Sequence, residues 1–279
     1  MLNLVKNVCL VFAIGSLGLH ALSAFASVDP TLQGAIEGSQ RSAENRARDR
    51  WRHPAETLTF FGVRADMTVL EISPGGGWYT EILAPYLREQ GTLYAAAFPG
   101  DIPGEEGAYY RKSRAAFEAK LAASPTTYDR VKVTDFLPPS RLELAPAGSV
   151  DLVLTFRNVH NWLDANGSDA LVLAAAFTAL KPGGVLGIVE HRTPREVSRQ
   201  EMAERGYMSE TAVIAAAEKA GFVLEAKSEI NANSLDTRDH PAGVWTLPPS
   251  LALGAKDREK YIAIGETDRM TLRFRKPAQ

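Results

Sequence analysis

The stretch Val69-Leu70-Glu71-Ile72-Ser73-Pro74-Gly75-Gly76-Gly77-Trp78-Tyr79-Thr80-Glu81 decides the fold. Residues 67–72 are apolar and β-prone apart from Thr68 and Glu71, the pattern of a short buried strand. Pro74 and three glycines end that strand, because proline lacks an N–H and glycine admits turns. From 78 to 87 the spacing turns helical, with Ile82, Leu83 and Tyr86 able to share a face. A strand that feeds a helix through such a turn opens a crevice at its carboxyl end. Small residues there let a ligand approach the backbone, and the helix N-terminus offers free N–H groups.

Two phosphate motifs are excluded. Counted from Gly75, the dinucleotide fingerprint needs a glycine where Thr80 stands, and no Gly-Lys-Ser/Thr follows to make a P-loop. Glu71, near the strand's end, suits a cationic or hydroxyl-rich ligand better than a pyrophosphate. A glycine turn that binds nothing is the plain alternative.

Outward from this stretch, strands and helices alternate. Strands are predicted at 92–97, 131–136, 149–156, 185–189, 222–230 and 269–276, the last alternating Met270, Leu272 and Phe274 with polar residues. Helices fall at 54–61, 108–123, 167–180 and 209–220, the last capped by Ser209. This is an α/β chain with a doubly wound, mostly parallel sheet. Residues 27–53 form a helical lead-in: 27–40 loose, then an arginine-rich helix over 42–51 ending near His53-Pro54. Arg46, Arg50 and His53 can share one face of it, as a solvated helix or as a basic lid over the ligand mouth. An insertion at 231–268, with Trp245, Pro241, Pro248 and Pro249, either caps the pocket or pairs two subunits.

Glu-x-Ser-x-Gly-x-Gly at 71–77 and Leu-Lys-Pro-Gly-Gly at 180–184, before an apolar strand, together resemble class I S-adenosylmethionine-dependent methyltransferases. More narrowly, 52–62, 75–83 and 268–277 resemble a group of exported bacterial predicted methyltransferases. The resemblance covers 54–276. It implies a Rossmann-like, seven-stranded sheet in the order 3-2-1-4-5-7-6, with strand seven antiparallel. It places S-adenosylmethionine over Ser73, Pro74, Gly75, Gly76 and Gly77, with Glu71 toward its ammonium or ribose. Asp135 would accept from the adenine amine, Phe136 would lie against the ring, and Asn158 would stand where cofactor and substrate meet. Two departures stand out. Ser73 replaces the first glycine. The second strand ends in Ala95-Ala96-Ala97-Phe98, where the family carries an acid that grips the ribose; Asp101 or Glu71 would have to substitute.

Methyl transfer needs an aligned nucleophile and a place for its proton. His160 and His191, each just past a strand's carboxyl end, are candidate bases, each with the ordinary alternative of a structural histidine. Glu190 is placed to orient an imidazole or bind a metal, although no metal is expected. Tyr207 could close over the site. Trp78, Trp162 and Trp245 are read as packing residues rather than a substrate cage.

Composition adds bounds. The chain has 279 residues, 45% hydrophobic and 23% charged, which suits one globular domain over 54–279. A formal net charge of −2 gives no case for nucleic acid. Lys6, the apolar run 8–19 and Ala24-Phe25-Ala26 predict a signal peptide over 1–26, cleaved between Ala26 and Ser27, hence a periplasmic or secreted protein with no stable membrane insertion afterwards. Cys9 is the only cysteine, so the mature chain would form no disulfide. Two functions remain: a methyltransferase acting on a small molecule, or an exported methyltransferase-fold binding protein that has lost catalysis and holds another ligand. Oligomeric state is not encoded in any feature of the sequence.

Overall fold

The computed structural model describes residues 29–162 and 167–278. The expected signal peptide and its cleavage point lie outside the described residues. No helix among those described is long and apolar enough to cross a membrane.

Eight strands form the sheet: β1 (Thr68–Ile72), β2 (Thr92–Ala97), β3 (Lys132–Asp135), β4 (Val150–Phe156), β5 (Leu180–Thr193), β6 (Met208–Ser209), β7 (Val223–Ser228) and β8 (Arg269–Arg275). Their order is β3-β2-β1-β4-β5-β8-β7, with the short β6 paired to β5 off this path. β8 runs antiparallel to both β5 and β7, and the remaining pairs are parallel. This is the order expected from the sequence once the two-residue β6 is set aside.

Side-chain alternation explains why both faces are covered. Leu70 and Ile72 of β1 point to one face, with Val153, Leu186 and Ile188, under helices Ser168–Ala179 and Glu210–Lys219. Val69 points to the other, with Leu152, Leu154 and Val189, under Pro30–Glu37, Pro54–Phe61 and Thr80–Leu87. Gly187 of β5 allows Phe61 to lie on the sheet, since a Cβ there would stand 2.7 Å from that ring.

Three expectations need correction. Residues 27–40 are not a loose lead-in: Pro30–Glu37 is a helix with Leu32, Ala35 and Ile36 buried. Asp29 caps it, and Pro30 occupies the first turn, where its missing N–H costs nothing. The arginine-rich segment is two short helices, Ala43–Arg46 and Asp49–Arg52, rather than one. Arg46 and Arg50 are exposed, and Arg41 and Arg52 are the buried ones. β5 is far longer than 185–189. Antiparallel pairing with β8 continues to His191↔Arg269, so Glu190 and His191 lie within the strand rather than past its end.

Candidate functional site

The crevice lies at the carboxyl ends of β1, β2 and β4. Ser73 N–H continues the ladder to Ala96 O at 3.0 Å, and Arg157 N–H does so to Val189 O at 2.7 Å. The chain then turns away on both sides. Ser73 adopts φ 55°, a left-handed conformation that costs a residue with a Cβ about 1–2 kcal/mol. A glycine would adopt this conformation without that strain. Gly75 has φ 56°, and nothing stands within 4 Å of where its Cβ would be, so its backbone faces open space. Lys120 fastens the turn from above, donating to Gly76 O at 2.9 Å and pairing with the buried Glu81 at 2.5 Å.

Two cavities meet at this turn, sharing Ser73, Pro74, Gly75, Tyr109, Asn158 and Asn161. The first, about 390 Å³, runs over the ends of β2 and β3 between Phe98, Tyr110, Phe117, Phe136 and Trp162. Among the described residues its walls are largely aromatic and neutral, with no carboxylate. The second, about 360 Å³, lies under the lead-in and the insertion, against Arg48, Arg52, Trp78, Arg157, His160 and Trp245. Asn158 stands at the junction, its amide donating to Ile72 O at 3.2 Å and to Thr155 Oγ1 at 3.2 Å.

The sequence-derived site residues divide as follows. Ser73, Pro74, Gly75 and Asn158 line both cavities, Phe136 the first, and Glu71, Gly76, His160 and His191 the second. Gly77 lines neither; its Cβ position is closed by Lys120 and Phe117 at 3.2–3.3 Å. Asp135 is also outside both, its oxygens taken by Arg114 at 2.9 Å and Arg141 at 2.6 Å. An adenine contact through that carboxylate would require breaking an ion pair. Asp101 is exposed and paired with Arg141, so it does not replace the missing ribose acid. Glu71 is buried at 2% exposure and accepts from Thr80 Oγ1 at 2.6 Å. Burial raises its carboxyl to about 7, against the hydrogen bond from Thr80 and the charge of Lys120.

Tyr207 is not a lid. It is buried, and its hydroxyl donates to Asp236 at 3.0 Å, inside a network that also holds His240 Nε2 at 2.8 Å. The insertion takes the covering role instead. Val244, Trp245, Pro248 and Pro249 line the second cavity, and the Trp245 ring lies 5.9 Å from that of His160.

His160, on the 3-10 turn Val159–Trp162, points Nδ1 at Glu190 Oε1, 3.0 Å away. Glu190 is wholly buried and held by three backbone N–H groups, those of Val159 at 2.6 Å, His160 at 3.3 Å and His191 at 2.8 Å. With Glu190 accepting from Nδ1, a neutral His160 carries its lone pair on Nε2, which makes no hydrogen bond to a described residue. His191 is 5.1 Å away ring to ring, with Nδ1 on Thr267 Oγ1 at 2.5 Å. Burial above all, then the positive charge that a protonated His160 would add and that Arg157 carries, holds His191 well below the usual imidazole range. His160, Glu190 and His191 bring ligand atoms within 4.8 Å of one another, a donor set that a divalent metal accepts. The four hydrogen bonds on Glu190 and the neighbouring arginines suit an oriented imidazole better than a further cation.

Sequence reasoning missed Arg48, Arg52 and Arg157. The first two are four residues apart, the helical spacing that shares a face, so the signal was present. Arg157 gives no such sign.

No family model and no curated protein matches the chain. Solved structures do. A methyltransferase from Aquifex aeolicus that depends on S-adenosylmethionine is 18% identical, with 82% of this chain and 93% of that one covered and a TM-score of 0.51. The chain has the S-adenosylmethionine-dependent methyltransferase fold. An arsenic(III) S-adenosylmethionine methyltransferase from Chlamydomonas reinhardtii is 13% identical over 89% of this chain and 73% of that one, at 0.51. A [4+2]-cyclase is 17% identical over 89% and 92%, at 0.52. At these identities the likeness establishes the fold; chemistry has to be argued from the site.

Proposed function

We propose that the protein is an S-adenosylmethionine-dependent methyltransferase, with cofactor in the first cavity and a small-molecule acceptor in the second. The observation that carries this reading is the junction: two cavities meet at Ser73–Gly75 and Asn158, with the oriented His160 in the second. In the first cavity, Phe98, Phe117, Phe136 and Trp162 supply flat apolar faces for a purine, and Ser73 and Ser113 supply hydroxyls. Glu71, at the junction's floor, is poised to ionise beside a cation.

When bound, S-adenosylmethionine would supply an electrophilic methyl group, its carbon–sulfur bond breaking to a neutral thioether as the acceptor's nucleophilic atom takes the carbon. His160 Nε2 is placed to take the proton that the acceptor gives up. Glu190 holds the ring in the tautomer that can receive it and stabilises the imidazolium that results. His191 and Trp245 flank the other sides of the ring, with centroids 5.1 Å and 5.9 Å away. The leader-like sequence of residues 1–26 supports an activity outside the cytosol in the same reading.

The test offers a panel of small acids, phenols, amines and thiols with S-adenosylmethionine and follows release of S-adenosylhomocysteine. With an accepted substrate, His160→Ala should slow turnover on the order of 100-fold while cofactor affinity stays within about twofold. Full turnover by His160→Ala would remove His160 as the base. Absence of turnover across the panel by a protein that binds no cofactor would remove the methyltransferase reading.

A further inference from the structure

Charge around the second cavity does not balance. Glu266 accepts from Arg48 Nε at 2.7 Å, Arg52 Nε at 3.1 Å and Arg269 Nη1 at 3.2 Å. Burial alone would raise this carboxyl, but Arg52, Arg269, Arg157 and Arg48 together pull it down to about 2. It is the one acid ion-paired within a group of four arginines, since the Arg157 guanidinium makes no hydrogen bond or ion pair with a described residue. Glu71 and Glu190 also stand near, but neither is ion-paired to an arginine; Thr80 and His160 occupy them.

The surplus faces the cavity. Arg48, Arg52 and Arg157 line it, whereas Glu266 and Arg269 do not. Arg48 Nη2 and Arg52 Nη2 are buried and have no hydrogen-bond partner among the described residues, and Arg52 as a whole is 2% exposed. A guanidinium does not shed its proton to escape such a position, so its donors stay unmet until an acceptor arrives. An unmet buried donor costs about 1–3 kcal/mol, more when charged. Burial, then the neighbouring Arg157, already depress Arg52 below the usual guanidinium range, so a further cation is unwelcome there. Trp78 and Trp245 add apolar walls beside these donors.

We propose that the second cavity selects a small anionic acceptor, whose carboxylate or phosphate oxygens sit on Arg48, Arg52 and Arg157 and whose apolar body lies against Trp78 and Trp245. The inference rests on reading this cavity as the acceptor site. Planar guanidinium forks pair with two oxygens of one anion, which fixes its orientation as well as its charge. The anion would anchor one end of the acceptor and leave its nucleophilic end toward His160.

The full chain is titrated with benzoate and with inorganic phosphate by ligand-observed NMR, with and without S-adenosylhomocysteine. Benzamide serves as the uncharged counterpart and choline as the cation. Arg157→Gln is the informative variant, because that side chain makes no hydrogen bond or ion pair with a described residue; its thermal midpoint checks folding, and Arg157→Lys keeps the charge without the fork. An anion should bind about tenfold or more tightly than benzamide, Arg157→Gln should remove about tenfold of that affinity, and Arg157→Lys should fall between. Whichever of benzoate and phosphate binds better assigns carboxylate or phosphate. Equal binding of benzoate and benzamide, preferential choline binding, or an unchanged Arg157→Gln would overturn the proposal. Binding of S-adenosylhomocysteine without anion selectivity overturns the anionic acceptor and leaves the methyltransferase reading standing. Anion binding without S-adenosylhomocysteine binding does the reverse, retaining the anion site and removing the transferase.

Discussion

The two cavities share one wall and are built on opposite principles. The first is made of strand ends, the loops that leave them and the helix Ala108–Ala122, and among the described residues its walls are neutral and largely aromatic, with no carboxylate. The second gathers residues 45–52, 156–161, His191 and 244–250, distant in sequence, and is rich in cations. The first holds its shape through backbone ladders and the glycine turn. The second holds its shape through ion pairs, chiefly those on Glu266. A cavity shaped by backbone tolerates side-chain change. One shaped by a buried charge cluster fails when its single counter-ion is lost.

That contrast can be broken most forcefully at Glu266. Glu266→Gln leaves Arg48, Arg52 and Arg269 without their buried ion-pair partner, and should cost roughly 3–5 kcal/mol in denaturant unfolding at neutral pH. Added phosphate should recover part of the loss. A stability change within the ordinary range for a surface site would mean that solvent, not Glu266, neutralises the cluster. For the wild type, the Glu266 carboxyl lies below its ordinary 4.5 when folded, so its contribution is complete above pH 4.5 and lost as pH falls toward about 2.

Glu71 offers a smaller and opposite effect. Its carboxyl is raised from 4.5 to about 7, so the folded state keeps a proton that the unfolded chain has released. The stability it provides is complete below pH 4.5 and lost as pH rises through 7. Glu71→Gln stays neutral throughout. It should therefore gain roughly 1–3 kcal/mol on the wild type between pH 5 and pH 8. A pH-independent difference between the two proteins would show Glu71 to be solvated rather than enclosed.

The first cavity could be read from sequence because its signals are local. Residues 69–81 carry strand, turn and helix within one short run, and Phe136 and Asn158 follow their strands directly. β5 was underestimated for a physical reason. Glu190, His191 and Arg192 look polar enough to end a strand, yet pairing with β8, some 80 residues on, keeps them in the ladder. Arg52 escaped because its burial depends on Glu266, 214 positions away, and on the Trp78 ring, 4.7 Å from its guanidinium. Tyr207 was misplaced for a similar reason: its partner, Asp236, belongs to the insertion. The helix Pro30–Glu37 was different, since Asp29-Pro30 and the spacing of Leu32, Ala35 and Ile36 announce it locally.

The proposed cofactor site is the glycine turn at 73–77. Calorimetric titration of the folded protein with S-adenosylhomocysteine tests it most directly, comparing wild type with Gly75→Val. Valine at φ 56° is strained, and its side chain would project into the space where both cavities meet. The account predicts one micromolar site in the wild type, weakened at least about 100-fold in Gly75→Val, with His160→Ala unchanged. A folded wild type that gives no binding heat, or a Gly75→Val variant that binds as well as the wild type, would contradict it.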